Sequence, residues 1–126
     1  MNPITLEWIA KAEGDFATAE REIKATDRPN YDAVCFHTQQ CAEKYLKAFL
    51  QEAGISFPRI HDLANLLALA LTIQPAWISM TTDLNTLSSF AVEYRYPGET
   101  ADLDEAREAL EKCENVRKTI RQALGL

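Results

Sequence analysis

The stretch from Tyr31 to Ala53 reads as one long amphipathic helix, and a chain that must bury one side of such a helix has few architectures open to it. Each residue of an α-helix is rotated by roughly 100° from the last, so positions three, four and seven apart share a side. Tyr31, Val34, Cys35, Thr38, Cys41, Ala42, Tyr45, Leu46 and Phe49 fall on one apolar side. His37, Gln40, Lys44, Lys47 and Gln51 form a row almost opposite, expected to face outward and to be a first candidate for ligand binding. Phe36 lies beside that row. An aromatic ring with no core to enter points to a partner surface, although an ordinary solvated face with one stray phenylalanine has the same spacing.

The rest of the chain divides at four punctuation points into further helices. A first helix can start at Pro3, a favoured first-turn residue, and run to about Ala25 with Leu6, Ile9, Ala12, Phe16, Ala19 and Ile23 on one side. Asp27-Arg28-Pro29-Asn30 ends it; Asn30 can cap the second helix, and Gly54 can close that helix in the left-handed conformation. A third helix spans about Asp62 to Leu71, with Asp62 as its cap and Leu63, Leu66, Leu67 and Ala70 inward. A fourth covers about Ala76 to Tyr94, aligning Met80, Leu84, Leu87, Ala91 and Tyr94, between Pro75 and Pro97-Gly98. Asp102 and Glu105 form a capping-box pattern opening a fifth helix, with Leu103, Ala106, Leu110, Cys113, Ile120 and Leu124 along its apolar side. No segment alternates with the period of a half-buried strand. The expected fold is an all-α, antiparallel up-and-down bundle of about five helices in a single domain over residues 1–126.

Composition removes several functions. The formal charge of -6 argues against a broad electrostatic grip on nucleic acid and leaves room only for a local basic groove. Cys35, Cys41 and Cys113 have no metal-binding spacing and are expected to be reduced core thiols of a cytoplasmic protein. No apolar run approaches the roughly 20 residues of a membrane span, and the amino terminus lacks the pattern of an export signal. The two histidines, His37 and His61, have no partners at metal-ligand spacing, and the four scattered glycines build no phosphate-cradling loop. The chain is therefore expected to need neither metal nor cofactor.

What remains is a set of polar residues near helix ends: His61 and Asp62 opening the third helix, Arg95 and Tyr96 closing the fourth. A histidine can move a proton near neutral pH, and an arginine can clamp a phosphate through two parallel hydrogen bonds. His61 and Arg95 are thus the candidate catalytic pair. The same residues also suit a plainer role, His61 and Asp62 capping one helix while Arg95 neutralises the negative end of another. Arg117 falls inside the apolar stripe of the fifth helix, where it is expected to lay its stem along the core or to pair with a carboxylate.

The run Tyr31-Asp32-Ala33-Val34-Cys35-Phe36-His37-Thr38-Gln39-Gln40-Cys41-Ala42-Glu43-Lys44-Tyr45-Leu46-Lys47-Ala48-Phe49-Leu50, followed by His61-Asp62-Leu63 and Arg95-Tyr96-Pro97, resembles the prokaryotic HEPN domain family. Asp15 and Ala19 in the opening helix fit the same pattern. The resemblance implies a helical bundle that dimerises through a face of its second and fourth helices, which suits Phe36. It also implies a cytoplasmic protein whose partner is a minimal nucleotidyltransferase in a toxin-antitoxin or defence-like pair. Many members are metal-independent ribonucleases in which an arginine is followed a few residues later by a histidine. This chain departs from that motif: Arg95 is followed by Tyr96-Pro97-Gly98, and no histidine occurs after His61. Tyr96 is the nearest analogue of a tyrosine that such nucleotidyltransferases modify, without the motif around it.

Three readings follow. The preferred one is a homodimeric partner of a minimal nucleotidyltransferase that binds nucleotide or RNA through His37, Gln40, Lys44, Lys47, Asp62 and Tyr96. The second is a metal-independent endoribonuclease in which His61 and Arg95 meet across the bundle or the dimer. The third is a structural helical dimer with Phe36 in its contact and no ligand.

Overall fold

The computed structural model describes every residue from Met1 to Leu126. Its secondary structure is five α-helices and one 3-10 segment, with no strand, which is the all-α architecture expected from the periodicity. Local chemistry sets most boundaries. Helix α1 (Pro3–Ile23) begins at a proline whose missing N–H has no partner to lose there, and the Asn2 side chain accepts from the Ile4 amide at 2.8 Å. Helix α2 (Tyr31–Ala53) is capped by Asn30, which accepts from the Ala33 amide at 3.0 Å, and it ends at Gly54 with φ of 72°. A glycine tolerates that left-handed geometry without a Cβ clash. Asp62 caps α3 (Leu63–Ala70), accepting from the Ala64 amide at 2.9 Å. After α4 (Thr81–Glu93), α5 (Leu103–Ala123) opens with a reciprocal capping box in which Asp102 accepts from the Glu105 amide and Glu105 from the Asp102 amide.

Two expectations are corrected. The periodicity starts the fourth helix near Ala76, but Pro75–Met80 winds as a 3-10 helix and α4 begins at Thr81. Trp77 and Met80 are both buried, and three residues per turn stacks such a pair directly in line, where an α-helix would leave them about 60° apart. Leu6, assigned to the inner side of α1, is 50% exposed, while Thr5 is fully buried. The Thr5 hydroxyl donates to Glu52 Oε1 at 3.0 Å, so a hydrogen bond between the ends of α1 and α2 takes the place that packing would have filled.

Helices α1 and α2 run antiparallel, as their cross-contacts show: Thr5 meets Glu52, Glu13 meets Tyr45, and the Asn30 amide donates to Glu22. Helix α2 touches α1, α3, α4 and α5, and so forms the axis of the bundle. Tyr45, Leu46 and Leu50 of α2 meet Leu63 and Leu66 of α3, Leu84 and Leu87 of α4, and Ile120 of α5 in one core. Each fully buried leucine contributes about 1.5–3 kcal/mol relative to its exposed state. No helix is long and apolar enough to cross a membrane.

Candidate functional site

The row expected to face outward on α2 is largely enclosed. Helix α1 lies along it, and Asp15 accepts from two of its members, with His37 Nδ1 at 2.7 Å and Lys44 Nζ at 2.6 Å. Lys47 is 5% exposed; its ammonium sits 3.0 Å from Glu43 Oε2 and 5.4 Å from the centre of the Trp8 ring. Gln40 is half-buried and donates to Gln39 Oε1 at 2.8 Å. Lysines read as polar surface go inside here because an i,i+4 glutamate and an α1 aspartate supply the opposite charge that burial demands. Lys47 therefore presents nothing to solvent, Lys44 spends its charge within the bundle, and His37 turns Nδ1 inward to Asp15.

A groove of about 340 Å³ opens elsewhere, between the start of α3 and the end of α4. Gln39, His61, Asp62, Ser88, Ala91, Val92 and Arg95 line it. Topology thus brings His61 and Arg95, far apart in sequence, to one groove within a single chain. His61 stands at the end of the loop from Gly54 to Asp62, with its ring largely exposed. Its Nδ1 lies 3.1 Å from Glu43 Oε2, and its carbonyl accepts from Gln39 Nε2 at 3.2 Å. Arg95, just past the carboxyl end of α4, is exposed, and its guanidinium enters no ion pair or hydrogen bond. Its charge complements the helix end and remains open to an anion. Asp62 is committed: Oδ1 serves the α3 amides and Oδ2 accepts from Asn65 Nδ2 at 3.2 Å. Tyr96 is 63% exposed and does not line the groove, while Phe36 is 41% exposed with its ring 5.2 Å from that of His37.

Gln39 and Ser88 were not singled out from the sequence, and Glu43 entered only as part of the family pattern, not as a site residue. The four-residue spacing of Gln39, Glu43 and Lys47 was the available signal, since it stacks an amide, a carboxylate and an ammonium on one line of α2. Ser88 carried none.

A second charged cluster is structural. Arg117 of α5 binds Glu13 of α1, as the pairing reading of this residue requires, and its guanidinium lies 4.5 Å from the centre of the Phe16 ring. The Tyr45 hydroxyl donates to Glu13 at 2.8 Å and accepts from Arg121 at 3.1 Å. The Arg117 hydrogen bonds hold the Glu13 carboxyl below its ordinary range against the opposing effect of burial. A larger depression, about 560 Å³, lies beside this cluster between α1 and α5, but its Arg117 is already taken by Glu13 and Glu114, and no histidine lines it. The three cysteines are free and buried. No group of three or more histidine, cysteine or acidic residues is arranged to hold a metal ion.

Comparisons with known proteins agree with this architecture. The HEPN domain pattern matches residues 5–123. "Putative toxin MJ1304" of Methanocaldococcus jannaschii is 29% identical over 133 aligned positions, covering 93% of this chain and 86% of the relative. The crystal structure of ST0689, an archaeal HEPN homologue, superposes with a TM-score of 0.67 at 26% identity, over 94% of this chain and 96% of that one. With nearly all of its helices inside the matched region, the chain belongs to the HEPN domain family.

Proposed function

We propose that this HEPN protein is the toxin-like member of a toxin-antitoxin pair, a homodimer that binds nucleotide or RNA in the groove of His61 and Arg95 and whose counterpart is a minimal nucleotidyltransferase. One observation carries the ligand class: an arginine with no internal partner stands at a groove that also holds a histidine. A guanidinium in that position suits a phosphate, and the net charge of -6 confines such binding to a local site. The pairing is supported by similarity to a protein described as a toxin. The dimer is supported by the exposed apolar residues Phe36 and Val92 on α2 and α4.

The test is binding of a short single-stranded RNA, and separately of a nucleoside triphosphate, to the purified protein in excess chelator. Arg95→Ala should weaken binding by a factor of about ten to a hundred, the worth of hydrogen bonds to a charged group. Absence of binding to either probe, or affinity untouched by both Arg95→Ala and His61→Ala, would overturn the assignment.

The contact of His61 with buried Glu43 favours a second reading, metal-independent cleavage of RNA: His61 takes the ribose 2′-hydroxyl proton as the 2′-oxygen bonds to phosphorus, the bond from phosphorus to the 5′-oxygen breaks with a proton supplied by water, and Arg95 stabilises the charge at phosphorus. Cleavage in chelator that disappears in both variants would establish it over simple binding.

A further inference from the structure

His61 is an exposed residue on a loop, and such a side chain ordinarily samples several rotamers. This one is tied at two points. Its carbonyl accepts from the Gln39 side chain at 3.2 Å, and its Nδ1 lies 3.2 and 3.1 Å from the two carboxylate oxygens of Glu43. Glu43 is in turn held from behind. Its side chain is 3% exposed, Lys47 donates to Oε2 at 3.0 Å, and Gln39 donates to Oε1 at 3.4 Å. The Gln39 amide cannot turn over freely, because Gln40 donates to its oxygen at 2.8 Å. Lys47 is covered by the Trp8 ring. A buried carboxylate wedged between an ammonium and an amide has almost no freedom to follow a moving imidazole, so the imidazole must come to it.

A carboxylate only accepts hydrogen bonds, so Nδ1 must donate. In neutral imidazole that leaves Nε2 as the bare acceptor, on the side of the ring away from Glu43. A free histidine side chain in water favours the opposite form, with the proton on Nε2. We infer that Glu43 is the positioning residue of this groove, fixing the His61 ring and selecting the tautomer whose Nε2 lone pair is offered to a hydroxyl donor of the bound molecule. For an RNA ligand that donor is a ribose 2′-hydroxyl, a group that DNA lacks. The choice of ligand rests on the proposed function; the tautomer does not.

Nitrogen-15 NMR of the full-length protein reads the tautomer directly. The His61 ring is identified by its absence in His61→Ala, and the pH series is carried up until the ring is neutral. The wild type should show the Nδ1–H form in excess. Glu43→Gln and Glu43→Asp, which respectively remove the charge and withdraw the carboxylate by one methylene, should each move the ring toward the Nε2–H form. A wild-type ring in the free-histidine tautomer would overturn the inference without any variant, so a misfolded Glu43 variant does not shield it. An unchanged tautomer in a folded Glu43→Asp would overturn it equally. Failure to bind RNA with the Nδ1–H form present would strike the proposed ligand and leave the positioning role intact. Binding that needs His61 in a protein with the free-histidine tautomer would do the reverse.

Discussion

Arg117 closes a two-point clamp on Glu13: Nε and Nη2 each lie 2.7 Å from a different oxygen of the carboxylate, joining the last helix to the first. Parallel N–H donors matched to a planar carboxylate make this the strongest geometry available to an arginine ion pair. It is the principal polar tie between α1 and α5, and Tyr45 of α2 and Arg121 complete it.

Breaking the clamp should cost measurable stability. Arg117→Met keeps part of the apolar stem but removes the donors and the guanidinium over Phe16, and should lower the free energy of unfolding by about 1–2 kcal/mol, less than for a fully enclosed pair because Glu13 is a third exposed. The midpoint of urea unfolding, read by far-ultraviolet dichroism, checks this.

The same clamp sets an acid limb. Because Glu13 titrates below its ordinary value of 4.5 in the folded chain, the folded state binds fewer protons than the unfolded one across that interval. Its contribution is fully present above about pH 4.5 and is lost as pH falls through the depressed folded value. Glu52, lowered by the Asn2 amide, acts in the same sense. Glu13→Gln should therefore flatten, without abolishing, the fall in thermal midpoint between pH 5 and 3, while a slope identical to wild type would show that Glu13 is not held low.

The thiols should be silent in the native state. Burial pushes Cys35 up to about 12, and Cys41, against Cys113, also lies well above the ordinary thiol value. A thiol-reactive chromophore at pH 8 should count none of the three before denaturant and all three after. Rapid labelling of the native protein would contradict the packing of α2 on α5.

The proposed dimer through α2 and α4 gives a direct prediction for Phe36. Replacing this exposed ring by glutamate should leave helix content unchanged and shift the sedimenting mass from dimer to monomer, since a carboxylate cannot be buried there without a partner. A wild-type monomer at high concentration would remove the dimer from the proposal.

How much of this could be read from the residues depended on range. The ends of α2, the Asp62 cap and the Asp102–Glu105 box were legible because each is completed within a few residues by chemistry the sequence states. The inner side of α3 was legible in full, since Leu63, Leu66, Leu67 and Ala70 are all buried, and that of α5 in part, since Ala109 and Val116 are buried beside the expected Ala106, Cys113 and Ile120. Lys47 was not, because periodicity tells polar from apolar and cannot tell which polar side another helix will cover. Its burial depends on Trp8, far away in the chain, and on Glu43 one turn back. The joint groove of His61 and Arg95 depended likewise on how α3 turns back to meet α4, which no local signal encodes.

Helix α2 holds its signature on the inside. Of the residues by which this chain resembles its relatives there, Glu43, Lys44 and Lys47 are spent on neighbours within the molecule, and Gln40 steadies Gln39. The groups left over for a visitor, Arg95, Tyr96 and Phe36, stand off that line. The α2 side chains on that line are thus spent on the frame, holding α1 and the start of α3 against α2. A change along that line should accordingly disturb how the helices sit, while a change at the groove mouth should alter only what the groove meets.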